Sequence, residues 1–262
     1  EVAGVYTFAV GAADACIDVT GNAAGLVVTG NGTRSVAVTG PSALEIDALA
    51  DSDSILLASA GVPAAIAVWA NDVAVTVGDA ADPRGLGALP ASVVVAGSPT
   101  SSGGRLVVDD SGWQSPYHWP TPVQYTYFRL TNDSVTSRDG VGVLSYSGLS
   151  ALTLRGASSF GPTSYTDVIV QSTADGVDTR LDLTAGTIRQ SVSVQSTSAD
   201  PNSRLTILGG PIGMYTAIDS SSSPVTYQPN PGSSADSFYV KAKGMTAGTA
   251  ITLDGGGGGG CS

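Results

Sequence analysis

Apolar and polar residues alternate in short runs along most of the chain, as in "CIDVTG" from Cys16, "GLVVTG" from Gly25, "SVAVTG" from Ser35, "AIAVWA" from Ala65 and "SVVVAG" from Ser92. A period of two places every second side chain on one face of a half-buried strand. No window shows the 3.6-residue spacing of an amphipathic helix. Val, Ile and Thr fill many of the alternating positions, as pleated backbone favours, and Gly, Asn, Asp and Ser close the runs. Gly21, Gly30 and Gly40 end three runs of the same shape. The pattern predicts an all-β protein built from many short strands.

A longer period lies over the short one. The segment "VIVQSTADGVDTRLDLTAG", Val168 to Gly186, returns as "VSVQSTSADPNSRLTILGG", Val192 to Gly210. Aligned without gaps, Val168 meets Val192, Gln171 meets Gln195, Thr173 meets Thr197, and Arg180-Leu181 meets Arg204-Leu205. A third copy starts at Val93 and carries Arg105-Leu106, and a weaker fourth starts at Phe238. A repeat of this length, which buries its apolar face only against its neighbours, is the mark of a solenoid. We therefore expect a right-handed parallel β-helix with rungs of about 24 residues, forming a rod on the order of 50 Å long. Stacking explains the repetition, because Gln171 over Gln195 and Thr173 over Thr197 would build ladders. One solenoid domain is expected over 1–254, followed by a glycine-rich tail, 255–262, that carries Cys261.

Composition narrows the function. With 34 Gly, 13% charged residues and one His, the chain lacks the stock of exposed helix faces, and a formal charge of −11 without a basic stripe excludes nucleic acid as a partner. No apolar run reaches the ~18 residues of a spanning helix, so no membrane span is expected. The chain begins at Glu1 without Met, from which we expect a secreted, extracellular or cell-surface protein.

The stretches "LVVDDSG" (Leu106 to Gly112), "YTYFRLTNDSVTS" (Tyr125 to Ser137), "VLSYSGLSALTL" (Val143 to Leu154) and "DVIVQSTA" (Asp167 to Ala174) resemble a unit of very long, repetitive, secreted or surface-anchored bacterial proteins, in which haemolysin-type calcium repeats often lie nearby. The resemblance covers about residues 93 to 210 and implies architecture rather than activity. It departs at Gly161 to Asp167, where "GPTSYTD" replaces the family's acidic "GNDT" turn. The calcium-roll nonapeptide is absent as well, so no calcium or other cofactor is expected.

Candidate chemistry is sparse. Asp109 and Asp110 are the obvious carboxylate pair, but neighbours in a strand face opposite ways, and the plainer reading is a strand end before a Ser-Gly turn. His118 sits among aromatics and prolines with no nucleophile motif, and Asp47, Asp51 and Asp53 lack the Gly and bidentate Glu of a calcium loop. Thr20, Thr29 and Thr39 reflect β-propensity rather than a water-ordering ladder. The sequons at Asn31 and Asn132 mark exposed turns. No catalytic, cofactor or metal residue is assigned.

Two features suggest contact. The segment Trp113 to Phe128 has three prolines and six of sixteen aromatics, so a lateral insertion is expected at about 112–124, with Trp113, Tyr117, Trp119 and Tyr125 as contact residues. Cys16 and Cys261 lie at opposite ends of the expected rod, too far apart for one chain to bridge, which suits an intermolecular disulfide. The expected function is a non-enzymatic structural subunit that joins head to tail with itself into a fibre, sheath or surface layer. The alternative is a carbohydrate-active β-helix, a lyase, hydrolase or adhesin module, with a cell-surface polysaccharide as partner.

Overall fold

The computed structural model describes residues 5–10, 16–22, 25–30, 34–39, 43–48, 54–59, 65–70, 73–78, 80–81, 86, 92–97, 103–112, 125–137, 143–156, 165–185, 189–210, 214–229, 236–241 and 245–253. These form strands and no α-helix. In chain order they are β1 (Val5–Val10), β2 (Cys16–Asn22), β3 (Gly25–Gly30), β4 (Arg34–Thr39), β5 (Ala43–Ala48), β6 (Ser54–Ser59), β7 (Ala65–Ala70), β8 (Ala74–Val77), β9 (Ser92–Gly97), β10 (Gly104–Asp109) and β11 (Tyr125–Leu130). Then follow β12 (Ser134–Ser137), β13 (Val143–Ser147), β14 (Leu149–Arg155), β15 (Tyr165–Val170), β16 (Asp178–Asp182), β17 (Arg189–Val194), β18 (Arg204–Leu208), β19 (Met214–Ile218), β20 (Val225–Gln228), β21 (Ser237–Val240) and β22 (Ile251–Leu253).

They assemble into two sheets of eleven strands each, in the orders β1-β5-β7-β9-β13-β12-β11-β15-β17-β19-β21 and β22-β20-β18-β16-β14-β10-β8-β6-β2-β3-β4. From β5 to β10 and from β13 to β22 the chain changes sheet after every strand, and each strand pairs in parallel with an earlier one of its sheet, β13 with β9 and β15 with β11 on either side of an excursion. The expectation of an all-β protein with long parallel sheets therefore holds.

Two excursions break the parallel pattern. In the second sheet β2, β3 and β4 form an antiparallel meander, and in the first sheet β11, β12 and β13 form another. The three early runs that end at Gly21, Gly30 and Gly40 are thus neighbours within one sheet. The strands are separated by hairpin spacings, two residues between β2 and β3 and three between β3 and β4. Each excursion adds two strands to one sheet only. Because one falls in each sheet, both sheets come out eleven strands long.

The core lies between the sheets as columns of stacked apolar side chains. In the second sheet Ile55, Val75, Leu106 and Leu152 follow one another in register, as do Leu57, Val77, Val108 and Leu154, and all are buried. In the first sheet Val168 lies beside Val192 and Val170 beside Val194, as the repeat requires. Fully burying each such side chain contributes about 1.5–3 kcal/mol. Where the chain passes straight from β13 into β14, Gly148 (φ 61°) packs on Gly97, and a Cβ on Gly97 would lie 1.9 Å from the Gly148 carbonyl oxygen. Only glycine at both positions permits that approach.

In the second sheet the gapless alignment slips. Arg204 lies beside Asp178 rather than Arg180, and Arg180 lies beside Thr206. A shift of two residues keeps every side chain on its face and replaces a like-charge neighbour with an opposite one. The steps from Leu152 to Thr179, Leu205, Val225 and Ile251 are consequently unequal, and the corners take up the difference.

Thr179 and Thr216 occupy interior column positions, buried at 1% and 0% exposure, and their hydroxyls have no hydrogen-bond partner among the described residues. An unsatisfied buried hydroxyl costs about 1–3 kcal/mol. Thr179→Val and Thr216→Val should each raise stability by about 1 kcal/mol in urea denaturation; a loss of that size would mean that the hydroxyl is bonded in solution.

Candidate functional site

The features with chemistry lie at three places: the end of β10, the corner after β15 and β17, and the two ends of the sheets. At the first, β10 ends on Asp109, whose register partner across the ladder is Arg155 of β14. The Asp109 carboxylate accepts hydrogen bonds from the Arg155 guanidinium at 2.8 Å, the Ser111 amide at 3.0 Å and the Ser111 hydroxyl at 2.5 Å. Burial alone would raise the Asp109 carboxyl, but the bonds from Ser111 and Arg155 outweigh it and hold the group below its ordinary value of 3.8. Asp110 is also buried and accepts the Leu86 amide at 2.8 Å, while its own amide donates to the Arg155 carbonyl at 3.1 Å. The Asp109 carboxylate clamps a strand end and the turn after it, and the Asp110 carboxylate holds Leu86 of the preceding connection.

The corner is a staircase of hydroxyl groups. The Thr173 hydroxyl oxygen accepts the Ser198 amide at 2.9 Å. Thr197, at the equivalent place one circuit on, accepts the Ser222 and Ser223 amides at 2.8 and 2.9 Å and bonds the Ser221 hydroxyl at 2.9 Å. The predicted Thr173 and Thr197 positions are thus equivalent, but each hydroxyl serves the next corner's backbone rather than a like side chain. Gln171 and Gln195 carry the ladder on through their amides, to the Leu130 and Val170 carbonyls at 2.8 Å each. Buried corner amides need acceptors, and threonine supplies them where the strand ladder stops.

Two buried tyrosines tie the sheets to their loops. The Tyr146 hydroxyl donates to the Thr131 carbonyl at 2.5 Å, and burial, then the nearby Asp133 charge, pushes its ionisation up. Tyr227 donates to Asp236 at 2.8 Å and is raised by burial and by that bond. Its ring meets Phe238 edge to face, with centroids 4.8 Å apart. The Asp236 carboxylate also accepts the Met214 amide at 2.8 Å, which fixes the chain before β21.

At the ends of the sheets the interior columns run out. Phe238 and Val240 take the register positions of buried Thr216 and Ile218, and Ile251 and Leu253 those of buried Val225 and Tyr227. Yet Val240 and Leu253 are each 38% exposed, because no further strand among the described residues covers them. The outer face of the first sheet carries exposed Trp69, whose indole donates to Glu45 at 2.7 Å, and exposed Tyr215 and Tyr239.

Of the residues singled out from the sequence, Cys16 is exposed at the start of β2, Tyr125 opens β11 opposite Tyr165, Asp47 is half-buried on β5, and Asn132 is exposed between β11 and β12. Trp113, Tyr117, His118, Trp119, Asp51, Asp53, Asn31 and Cys261 lie outside the described residues. Among the described residues no group of three or more His, Cys, Asp or Glu is placed to hold a metal ion, and no helix is long and apolar enough to cross a membrane. The sequence reading missed Arg155 and the uncovered residues of β21 and β22. The alternation "FYV" and "ITL" in the weak fourth copy was their only signal. Comparison with family models, with curated proteins and with solved structures finds no match.

The Asp109 clamp makes stability depend on pH. Because the folded carboxyl is depressed, its contribution is complete above the unfolded value and is lost as pH falls through the folded one. Arg155→Met should cost about 1–2 kcal/mol near neutral pH, measured by urea denaturation. The gap between variant and parent should narrow below the ordinary carboxylate range. A gap that stayed constant down to strong acid would show that Arg155 acts through its aliphatic stem instead.

Proposed function

We propose that the chain is a structural subunit, secreted or held at a cell surface, that polymerises end to end. In this reading the two sheets are wound as a right-handed parallel β-solenoid with turns of roughly 24 residues, the hand that parallel crossovers overwhelmingly adopt. The observation that carries the proposal is the match between the two ends. One end presents β1 and β4 and the other presents β21 and β22, so each sheet offers one open edge at each end.

Strand direction matches as well. The β2–β3 and β3–β4 pairs are both antiparallel, so β4 runs with β2 and with the rest of its sheet. By the same count β11 and β13 run together on either side of β12. Among the described strands only β3 and β12 run against their sheets. Copies stacked by translation would therefore meet parallel strand to parallel strand on both sheets. Such a heterologous contact does not close on itself and yields an open filament.

Negative-stain electron microscopy and light scattering of the purified chain across a concentration series test this reading. Unbranched filaments one chain wide, lengthening with concentration, are expected. A monodisperse monomer at every concentration would overturn it.

A further inference from the structure

Among the described residues, core positions at the end bearing β21 and β22 are left uncovered. Phe238 and Ile251 are partly buried against the core below, while Val240 and Leu253 stand at core positions and are exposed. These four residues, two from each sheet, sit one register step beyond buried neighbours. On the other end β1 places Tyr6 and Phe8 at the register positions of buried Leu44 and Ile46. The adjoining edge of the second sheet is β4, where Val36 holds the register position of buried Val28 and Val38 that of Leu26. Apolar residues thus occupy alternate positions on all four terminal strands, with Arg34 at the first position of that set on β4.

We propose that the uncovered face formed by Phe238, Val240, Ile251 and Leu253 is a docking site for a second copy of this chain. The second copy's β1 adds to β21 and its β4 adds to β22. The inference rests on the end-to-end reading and names the surface and orientation that produce it. Both additions are parallel, and both carry the interior columns from one copy to the next without a break. Main-chain hydrogen bonds along the open edges supply affinity, and the alternating apolar side chains set the register. The pairing length is set by the shorter partners, β21 with four residues and β22 with three. Tyr239 lies between Phe238 and Val240 but faces the opposite side of its sheet, 51% exposed, and takes no part in the contact.

The test uses the full chain with Val240→Asp and Leu253→Asp together, and Tyr239→Asp as a control on the same strand. Exposure of both replaced side chains should leave the far-ultraviolet β-signal unchanged, which circular dichroism checks. The double variant should lose self-assembly, whereas Tyr239→Asp should form filaments of the parental kind. The double variant keeps β1 and β4 intact, so in substoichiometric amounts it should add to growing parental filaments and stop them, shortening their mean length. If the parent forms filaments and the double variant does so equally well, or fails to shorten them, the docking site is wrong while the end-to-end reading stands. If the parent forms none, both fall. Should the double variant lose its β-signal, Val240→Ser with Leu253→Ser replaces it, and filament loss or retention is read in the same way.

Discussion

In a two-sheet stack with one strand per circuit in each sheet, an interior side chain is covered above and below by the residue at the same register position of the neighbouring strands. This coverage is the constraint on which the structure depends. It explains why Val168 and Val192 recur, why Leu106 is followed by Leu152, and why Gly97 and Gly148 meet where a Cβ could not fit. It extends to the corners, where Thr173 and Thr197 supply acceptors to the amides of the next circuit.

The same constraint leaves the ends incomplete. A last layer has half its cover missing, and Val240 and Leu253 show the consequence as exposed core positions. The two antiparallel excursions matter here. Each inserts an even number of extra strands, so strand direction is restored, and one excursion in each sheet keeps the two sheets equal in strand number. Had either sheet carried an odd insertion, the ends could not meet parallel to parallel on both sides. The geometry of the ends is thereby tied to the two antiparallel excursions, one at the edge of the second sheet and one in the middle of the first.

Much of the fold was legible because period-two alternation and the long repeat report the same stacking. The valines at 168 and 192 aligned in sequence and pair in space. The Arg-Leu pairs aligned equally well in sequence but not in space, since identity rewards Arg180 over Arg204 whereas a sheet penalises like charges side by side. The excursions were present as hairpin-length loops, but closely spaced strands are equally compatible with passage between sheets. Asp109 was visible as a candidate, yet its role depends on Arg155, which lies 46 residues away and becomes its neighbour only through the ladder. The uncovered end was least legible, because Val240 and Leu253 have the pattern of any core position and only the lack of a further described strand beside them distinguishes them.

Fibre diffraction from aligned filaments tests the central claim most directly, because continuous sheets impose two linked spacings. Strands lying across the axis give a meridional reflection near ~4.8 Å. Eleven strands per copy in each sheet, continued without a gap, give an axial repeat of about 53 Å, of which that reflection is the eleventh order. The account predicts both, with the index fixed at eleven. A ~4.8 Å reflection off the meridian, or an axial repeat that does not hold a whole number of eleven strand spacings, would contradict it.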